Sequence, residues 1–509
     1  MSVRNRRCRG DVAALRCVKC AVAAIAALSP SLLWSGAVAK LFLDLPPVPL
    51  PGPRPLLGAR ANHLRFFANP ALTMLRLHAK HGEIAALSRD DPSMVCAFGH
   101  RYNRQLLPTT GLFPNFAENP LRIPHGSAAA ILGSSLIAQN GEIHRRNRRL
   151  MMPAFAKARL AGYGREIVDI AARTLEGWPR EGVIDVKARS IELTLRVSMK
   201  CLFGLDLGAQ ARELGELSLA YLSLMTSPGA MLFPFALPGT PYTRFLRVCE
   251  RLVERIDEVL ERRRALGLDD DMLSALIASS DEDGGFSPNE LVGQAAMLMT
   301  AGHETTAMTV SWTLLLLAAH PQIQLALGED IAAQCGDRPP ALDDLARLEL
   351  LDRVVRESMR LLPATPMLFL RRSTVAFELG GHALPPGSTI VLSPLVTHRD
   401  PDLYPSPRRF DPDRWSGLEP GPYEYLPFGA GPRRCLGAGF ATNAIRLVLA
   451  SILQRVRVAI PAGARVDCGV SGIIMSPRGG LRLRVMSPDA TLRPPRSVGG
   501  SVRELVALA

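Results

Sequence analysis

The pattern of apolar and polar positions is easiest to read from Ser287 onward, where it is helical. Ser287 can cap the helix, Pro288 suits its first turn, and Glu290 completes a capping box three residues on. His320 and Pro321 end it. A span of about thirty residues would be roughly 45 Å long, enough to cross a whole domain and wall an interior pocket. Between His81 and Phe98 the pattern is short and broken by Gly82 and Pro92, which predicts a small sheet. Thr374 to Ile390 reads as strands and Val456 to Val485 as a terminal hairpin region, while most of the remaining chain reads as helix. Leu45 to Gly58 carries six prolines and predicts an extended connector, so the folded body should begin after it. No internal repeat is evident, and residues 487–509 read as a loose tail. The expected fold is mainly α with small sheets.

Composition narrows the class. Hydrophobic residues at 47% and charged residues at 21% over 509 positions exclude a polytopic membrane protein and a largely disordered one. A formal charge of +13 points to an acidic partner or an anionic surface. No zinc-finger spacing and no basic run interleaved with aromatics accompanies it, so no nucleic-acid partner is expected. Nine cysteines without regular spacing suit a reducing compartment, and the lone pair Cys17 and Cys20 reads as incidental.

The strongest chemical signal is Phe428-Gly429-Ala430-Gly431-Pro432-Arg433-Arg434-Cys435-Leu436-Gly437, followed by an apolar helical run to Leu453. Gly431 and Gly437 would permit close approach of backbone to a flat macrocycle. A helix starting just after Cys435 would favour thiolate over thiol. The segment resembles the haem-binding loop of the cytochrome P-450 family, F-x-x-G-x-R-x-C-x-G, with every fixed position present. The resemblance implies haem b held between the long helix and this loop, with Cys435 as axial iron ligand and Phe428 and Gly437 around it. It also implies that Arg433 pairs with a propionate, which a planar guanidinium fork suits.

Inside the long helix, Ala301-Gly302-His303-Glu304-Thr305-Thr306 resembles the family's oxygen-binding segment, [AG]-G-x-[DE]-T-[TS]. An acid beside a hydroxyl in an apolar helix is costly unless it has a use. Gly302 would leave room for a ligand, and Thr305 could bond a helix carbonyl and open the ladder locally. The resemblance makes Glu304 and Thr305 the catalytic pair that handles protons for bound dioxygen. Glu357 and Arg360, at i and i+3, share a helix face, and the resemblance adds Arg414 as a structural third member that braces the loop to Cys435. His144 and Arg148, one turn apart, stand as propionate contacts, although many relatives carry tryptophan where this chain has His144. Arg371 stands as another propionate contact, and His398-Arg399-Asp400-Pro401 matches a family signature of unassigned role. Arg145, Arg149, Arg434 and Arg446 would form a basic face for an acidic ferredoxin or flavodoxin.

The resemblance covers roughly 45–486 as one catalytic domain. It implies a monooxygenase that inserts one atom of O2 into an apolar organic substrate, with electrons from NAD(P)H through separate redox proteins. Rival readings are a haem-thiolate peroxygenase or isomerase, and a non-catalytic haem gas sensor; the retained Glu304 and Thr305 argue for the monooxygenase. Pocket walls by family position are Pro120 to Ile131, Met297 to Ala301, Pro363 to Phe369 and Ile473 to Met475, chiefly apolar, as a fatty acid, terpene or macrolide-like molecule would need. Residues 1–44 form an extension in which Arg4, Arg6, Arg7, Arg9, Arg16 and Lys19 precede an uncharged run from Ala21 to Ala39. Ala37-Val38-Ala39 resembles a cleavage site, but export would part the enzyme from its electron supply. A weak membrane anchor through 21–39 and an over-extended start stay open, and the cytoplasm is the expected compartment.

Overall fold

Helices and short strands alternate along the chain with the helices dominant, in a computed structural model that describes residues 49–508 apart from 57, 116–120, 122, 207, 226, 228, 231–232, 281–283 and 496. The extension 1–44, the run from Ala21 to Ala39, the Cys17 and Cys20 pair, the start of the proline connector and Pro120 lie outside the described residues.

In chain order the elements that matter are strands β1 (Ile84–Ala86) and β2 (Met94–Ala97), helices α1 (Gly141–Met151) and α2 (Lys157–Glu176), strand β3 (Gly182–Asp185), and helices α3 (Val186–Phe203), α4 (Pro241–Leu266), α5 (Pro288–Ala319), α6 (Pro321–Cys335) and α7 (Glu349–Leu361). Strands β4 (Arg371–Arg372), β5 (Phe377–Leu379), β6 (His382–Leu384) and β7 (Thr389–Leu392) follow. Helix α8 (Ala438–Arg455) and strands β8 (Arg457–Ala459), β9 (Cys468–Ser471), β10 (Ile474–Pro477) and β11 (Arg482–Met486) complete the set.

The largest sheet runs β1-β2-β7-β4. Its strands β2 and β7 are parallel, with Met94 opposite Thr389 and Ala97 opposite Leu392. A second sheet, β3-β11-β8, ties the middle of the chain to its end, and β5-β6 and β9-β10 are antiparallel hairpins.

Helix α5 organises the core. Ser287 accepts from Glu290 N–H at 3.3 Å while the Glu290 carboxylate accepts from Ser287 N–H at 2.9 Å, which closes the capping box. Its C-terminal half, Thr306 to Ala319, is buried on all sides, as expected of a helix packed by α3, α4, α7 and α8 rather than lying on a surface. Pro321 cannot continue it, and α6 departs at 113°. Among the described residues no single helix is long and apolar enough to cross a membrane.

The end of the chain departs from the expected loose tail. Val498, Val502, Leu505 and Val506 are buried in the main core. Val502 N–H donates to Val466 O at 3.2 Å and Ala507 N–H to Arg408 O at 2.9 Å. These four apolar side chains, all within positions 498–506, bury enough apolar surface to hold the segment down.

Candidate active site

Cys435 sits two residues before the N-cap of α8, in a loop built by glycine. Gly431 has φ +68°, and a Cβ there would lie 3.0 Å from Leu107 O, so both its conformation and its space demand glycine. Gly437 differs from expectation: its φ is −82°, and the nearest atom to a notional Cβ is Phe155 Cε1 at 3.4 Å. What Gly437 contributes is its N–H, which donates to the Cys435 sulfur. Cys435 N–H in turn donates to Phe428 O at 2.9 Å, fixing the loop across the cysteine.

Of the described cysteines, Cys435 alone is exposed; Cys96, Cys201, Cys249, Cys335 and Cys468 are buried. Protein nevertheless surrounds it closely enough that burial pushes its thiol up, against the Gly437 N–H and the nearby Arg148 and Arg434 charges. Desolvation thus works against the thiolate, while the Gly437 N–H and the two arginine charges work for it. A bound cation would add to the groups that favour the thiolate.

The second opening lies on α5. Ala301 is exposed and Glu304 and Thr305 are half-buried, within a helix otherwise enclosed around them. Burial raises the Glu304 carboxyl, while the Lys187 ammonium pulls it back down. Thr305 Oγ1 donates to Ala301 O at 3.0 Å, but α5 continues unbroken through this point, so the ladder is not opened as expected. Gly302 also has a different use from the one expected. A Cβ there would meet Leu202 Cδ1 at 3.0 Å, so its bare backbone admits α3 and not a ligand. Met475, expected in a pocket wall, is fully buried; its N–H donates to Ala364 O at 2.8 Å and its carbonyl accepts from Trp312 Nε1 at 3.1 Å.

At the edge of the cysteine loop four basic side chains converge. The charges of Arg433, Arg148 and Arg371 each act on His144, and with burial, the larger cause, they hold its imidazole down at about 4 and therefore neutral. Arg371 on β4 is buried and donates to Phe113 O at 3.2 Å. Burial brings it down to about 10, still charged at neutral pH; the same holds for Arg433, where Arg371 and Arg148 add to the effect. Among the described residues no carboxylate comes within ion-pair distance of Arg148, Arg371 or Arg433. The Nε atoms of Arg371 and Arg433 are buried without a hydrogen-bond partner. Uncompensated cations with orphaned donors are costly unless an anion completes them, and a pair of carboxylates would fit.

Behind the loop, Glu357, Arg360 and Arg414 meet as one buried cluster. Arg360 donates to both Glu357 oxygens at 2.8 Å, and Arg414 Nε and Trp415 Nε1 reach the same carboxylate at 3.0 Å. Arg360 also donates to the carbonyls of His398, Pro407 and Arg409. This pins the segment that leads to Cys435.

His398, unassigned by sequence, belongs to the same brace. Its Nε2 accepts from Leu426 N–H at 2.8 Å, two residues before Phe428. Burial, with the Arg360 and Arg399 charges, holds the imidazole at about 3. The folded protein thus requires neutral His398. Its contribution is complete above about pH 6.5 and is lost as pH falls toward 3, at up to about 1.4 kcal/mol per pH unit. Unfolding free energies measured from pH 7 to 4 should fall more steeply for the native chain than for His398→Gln. Parallel slopes would remove His398 from the brace.

The basic face is smaller than expected. Arg149 and Arg434 are exposed and Arg145 pairs with Glu142, but Arg446 is turned inward against Asp352 at 3.6 Å.

Comparison with known proteins matches this arrangement. The cytochrome P450 family model covers residues 46–481. The chain is 33% identical to cyclooctatin synthase of Streptomyces melanosporofaciens over 82% of this chain and 91% of that protein. It is 31% identical to pentalenene oxygenase of Streptomyces avermitilis over 86% of this chain and 96% of that protein. In structure it is similar to a retinoic acid-bound cyanobacterial CYP120A1, with a TM-score of 0.75 at 24% identity, covering 87% of this chain and all of the other. With a family match over residues 46–481 and relatives at 31% identity covered over most of their length, in a chain that holds a cysteine loop, a buried Glu-Arg-Arg cluster and a long central helix, one conclusion is left: the chain belongs to the cytochrome P450 family, the haem-thiolate monooxygenases.

Proposed function

We propose that Cys435 is the axial ligand of haem b and that Glu304 and Thr305 act across from it, in a monooxygenase working on an apolar substrate. The observation that carries this is the coincidence of an accessible sulfur at the start of α8 and an opening at Ala301 to Thr305 on α5. Those two helices pack against each other. His144, Arg148, Arg371 and Arg433 would hold the propionates, three as cations and His144 through a neutral N–H. When bound, the haem supplies the oxygen activation, which a thiolate donor favours.

The chain's own groups supply position and protons. The Thr305 hydroxyl, donating to Ala301 O, keeps its oxygen free to accept a proton donor. Glu304, whose carboxyl burial shifts upward, holds a proton more readily than a solvated carboxyl and is placed to pass it inward. Glu304→Gln and Thr305→Ala should each lower the rate of product formation by about 10²-fold, the usual worth of positioned proton transfer. NAD(P)H consumption should fall far less, so that electrons leave as peroxide or water. The check is the ratio of product to NAD(P)H and O2 consumed. A ratio unchanged in both variants would take the proton role from this pair.

Electrons would come from a ferredoxin or flavodoxin meeting exposed Arg149 and Arg434, in the cytoplasm. One relative is named for pentalenene and another for cyclooctat-9-en-7-ol. We infer an apolar, cyclic, unsaturated substrate of that kind, a terpene rather than a fatty acid. A panel of such compounds added to the ferric protein should produce a spin shift in the Soret region. Response to fatty acids alone would overturn the substrate reading.

A further inference from the structure

Arg433 is held by a single short stretch of chain. Its Nη1 donates to Leu136 O at 3.1 Å, and its Nη2 donates to Gln139 O at 2.5 Å and Asn140 Oδ1 at 2.6 Å. Every one of these acceptors is neutral. A carboxylate in their place would orient the guanidinium equally well but would discharge it. Neutral acceptors fix its direction and leave the charge for another anion.

The stretch is in turn fixed by side-chain amides. Asn140 is locked into Asn115 as if it were a strand partner: its Oδ1 accepts from Asn115 N–H at 2.9 Å and its Nδ2 donates to Asn115 O at 3.1 Å. Asn115 bridges to Arg371, the second cation of the cluster. At the other end Gln294, fully buried on α5, accepts from Leu136 N–H at 2.9 Å and donates to Ser134 O at 3.3 Å. One buried amide on the central helix and one at the N-cap of α1 thus set where the Arg433 guanidinium stands.

We propose that Asn140 and Gln294 are positioning residues that present the Arg433 guanidinium, oriented but not neutralised, to the carboxylates of the bound cofactor. This rests on the haem reading above. That reading is tested separately, by the ferrous carbon monoxide spectrum of the native holoenzyme.

The experiment measures the rate at which haem leaves the ferric holoenzyme for excess apomyoglobin. Asn140→Ala should speed loss about tenfold, the worth of one hydrogen bond to a charged group. Asn140→Asp, nearly isosteric, should speed it at least as much, because the new carboxylate claims the guanidinium. It should also lower the haem midpoint potential, because a nearby negative charge favours ferric iron. Gln294→Leu should speed loss severalfold. Gln324→Leu is the control for folding: Gln324 is an equally buried amide bracing main chain, bonded to Leu317 O and to both main-chain groups of Val458, with no link to Arg433. It should cost similar thermal stability and leave haem loss at the native rate. In an Arg433→Gln background, Asn140→Ala should add less than about twofold, since coupled residues do not add. The proposal is overturned if Asn140→Ala keeps the native rate, if Gln324→Leu speeds loss as much as Gln294→Leu, or if the Asn140 effect persists without Arg433.

Discussion

Cys435→Ser should yield a protein that melts close to the native temperature yet shows no red-shifted Soret band when reduced under carbon monoxide, with product formation down by about a thousandfold or more, the scale of removing a group that acts as a unit with the reacting centre. The reasoning separates the loop from the sulfur. What shapes the loop is main chain: Cys435 N–H on Phe428 O, Gly431 at positive φ against Leu107 O, and the Gly437 amide. Serine keeps all of these and differs by one atom. That atom matters because a hydroxyl is far harder to deprotonate than a thiol and donates less electron density to a metal. Burial already pushes the Cys435 thiol up, and the same desolvation would bear harder on an alkoxide. A Cys435→Ser protein that retained the red-shifted band would mean that another side chain is the ligand.

Arg360→Ala should destabilise the chain by about 3–5 kcal/mol, because it strands a buried carboxylate in a site made for two cations. Glu357 and Arg360 are both wholly inaccessible. Removing the guanidinium leaves Glu357 with Arg414, Trp415 Nε1 and Asp411 N–H, and deprives the His398, Pro407 and Arg409 carbonyls of their donor. The matched comparison is Arg353→Ala. Arg353 pairs with Asp413 at 2.9 Å, but Asp413 is largely in solvent, so the loss should stay below about 1 kcal/mol. Chemical denaturation of both purified variants checks the contrast, and haem content should fall with Arg360→Ala alone. Equal losses would mean that the buried cluster does not brace the cysteine loop.

Features encoded within a few residues were legible in the chain. The Ser287, Pro288 and Glu290 start of α5, its stop at Pro321, the Glu357 and Arg360 pair on one helix face and the glycine-bounded cysteine loop all depend on spacings of three or four residues. The helical and extended periods make such spacings visible before anything folds. Family resemblance supplied Arg414, which lies 57 positions from Glu357 and has no local signature.

Contacts between distant segments were decided only by the packed structure. Gly302 looked like room for a ligand and proved to be room for α3, because which face of a buried helix meets which neighbour is not written in its own periodicity. Arg446 looked like surface and turned inward, and the residues after 497 found a core built from segments far upstream. Asn140 and Gln294 were passed over altogether, since an amide in a loop or a helix carries no pattern until the backbone it braces is beside it. The sequence by itself determined the elements and the chemistry of the cysteine loop. Tertiary structure decided the surroundings of its thiol and the aim of Arg433, because desolvation and hydrogen-bond geometry depend on every segment packed around a group, not on its neighbours in the chain.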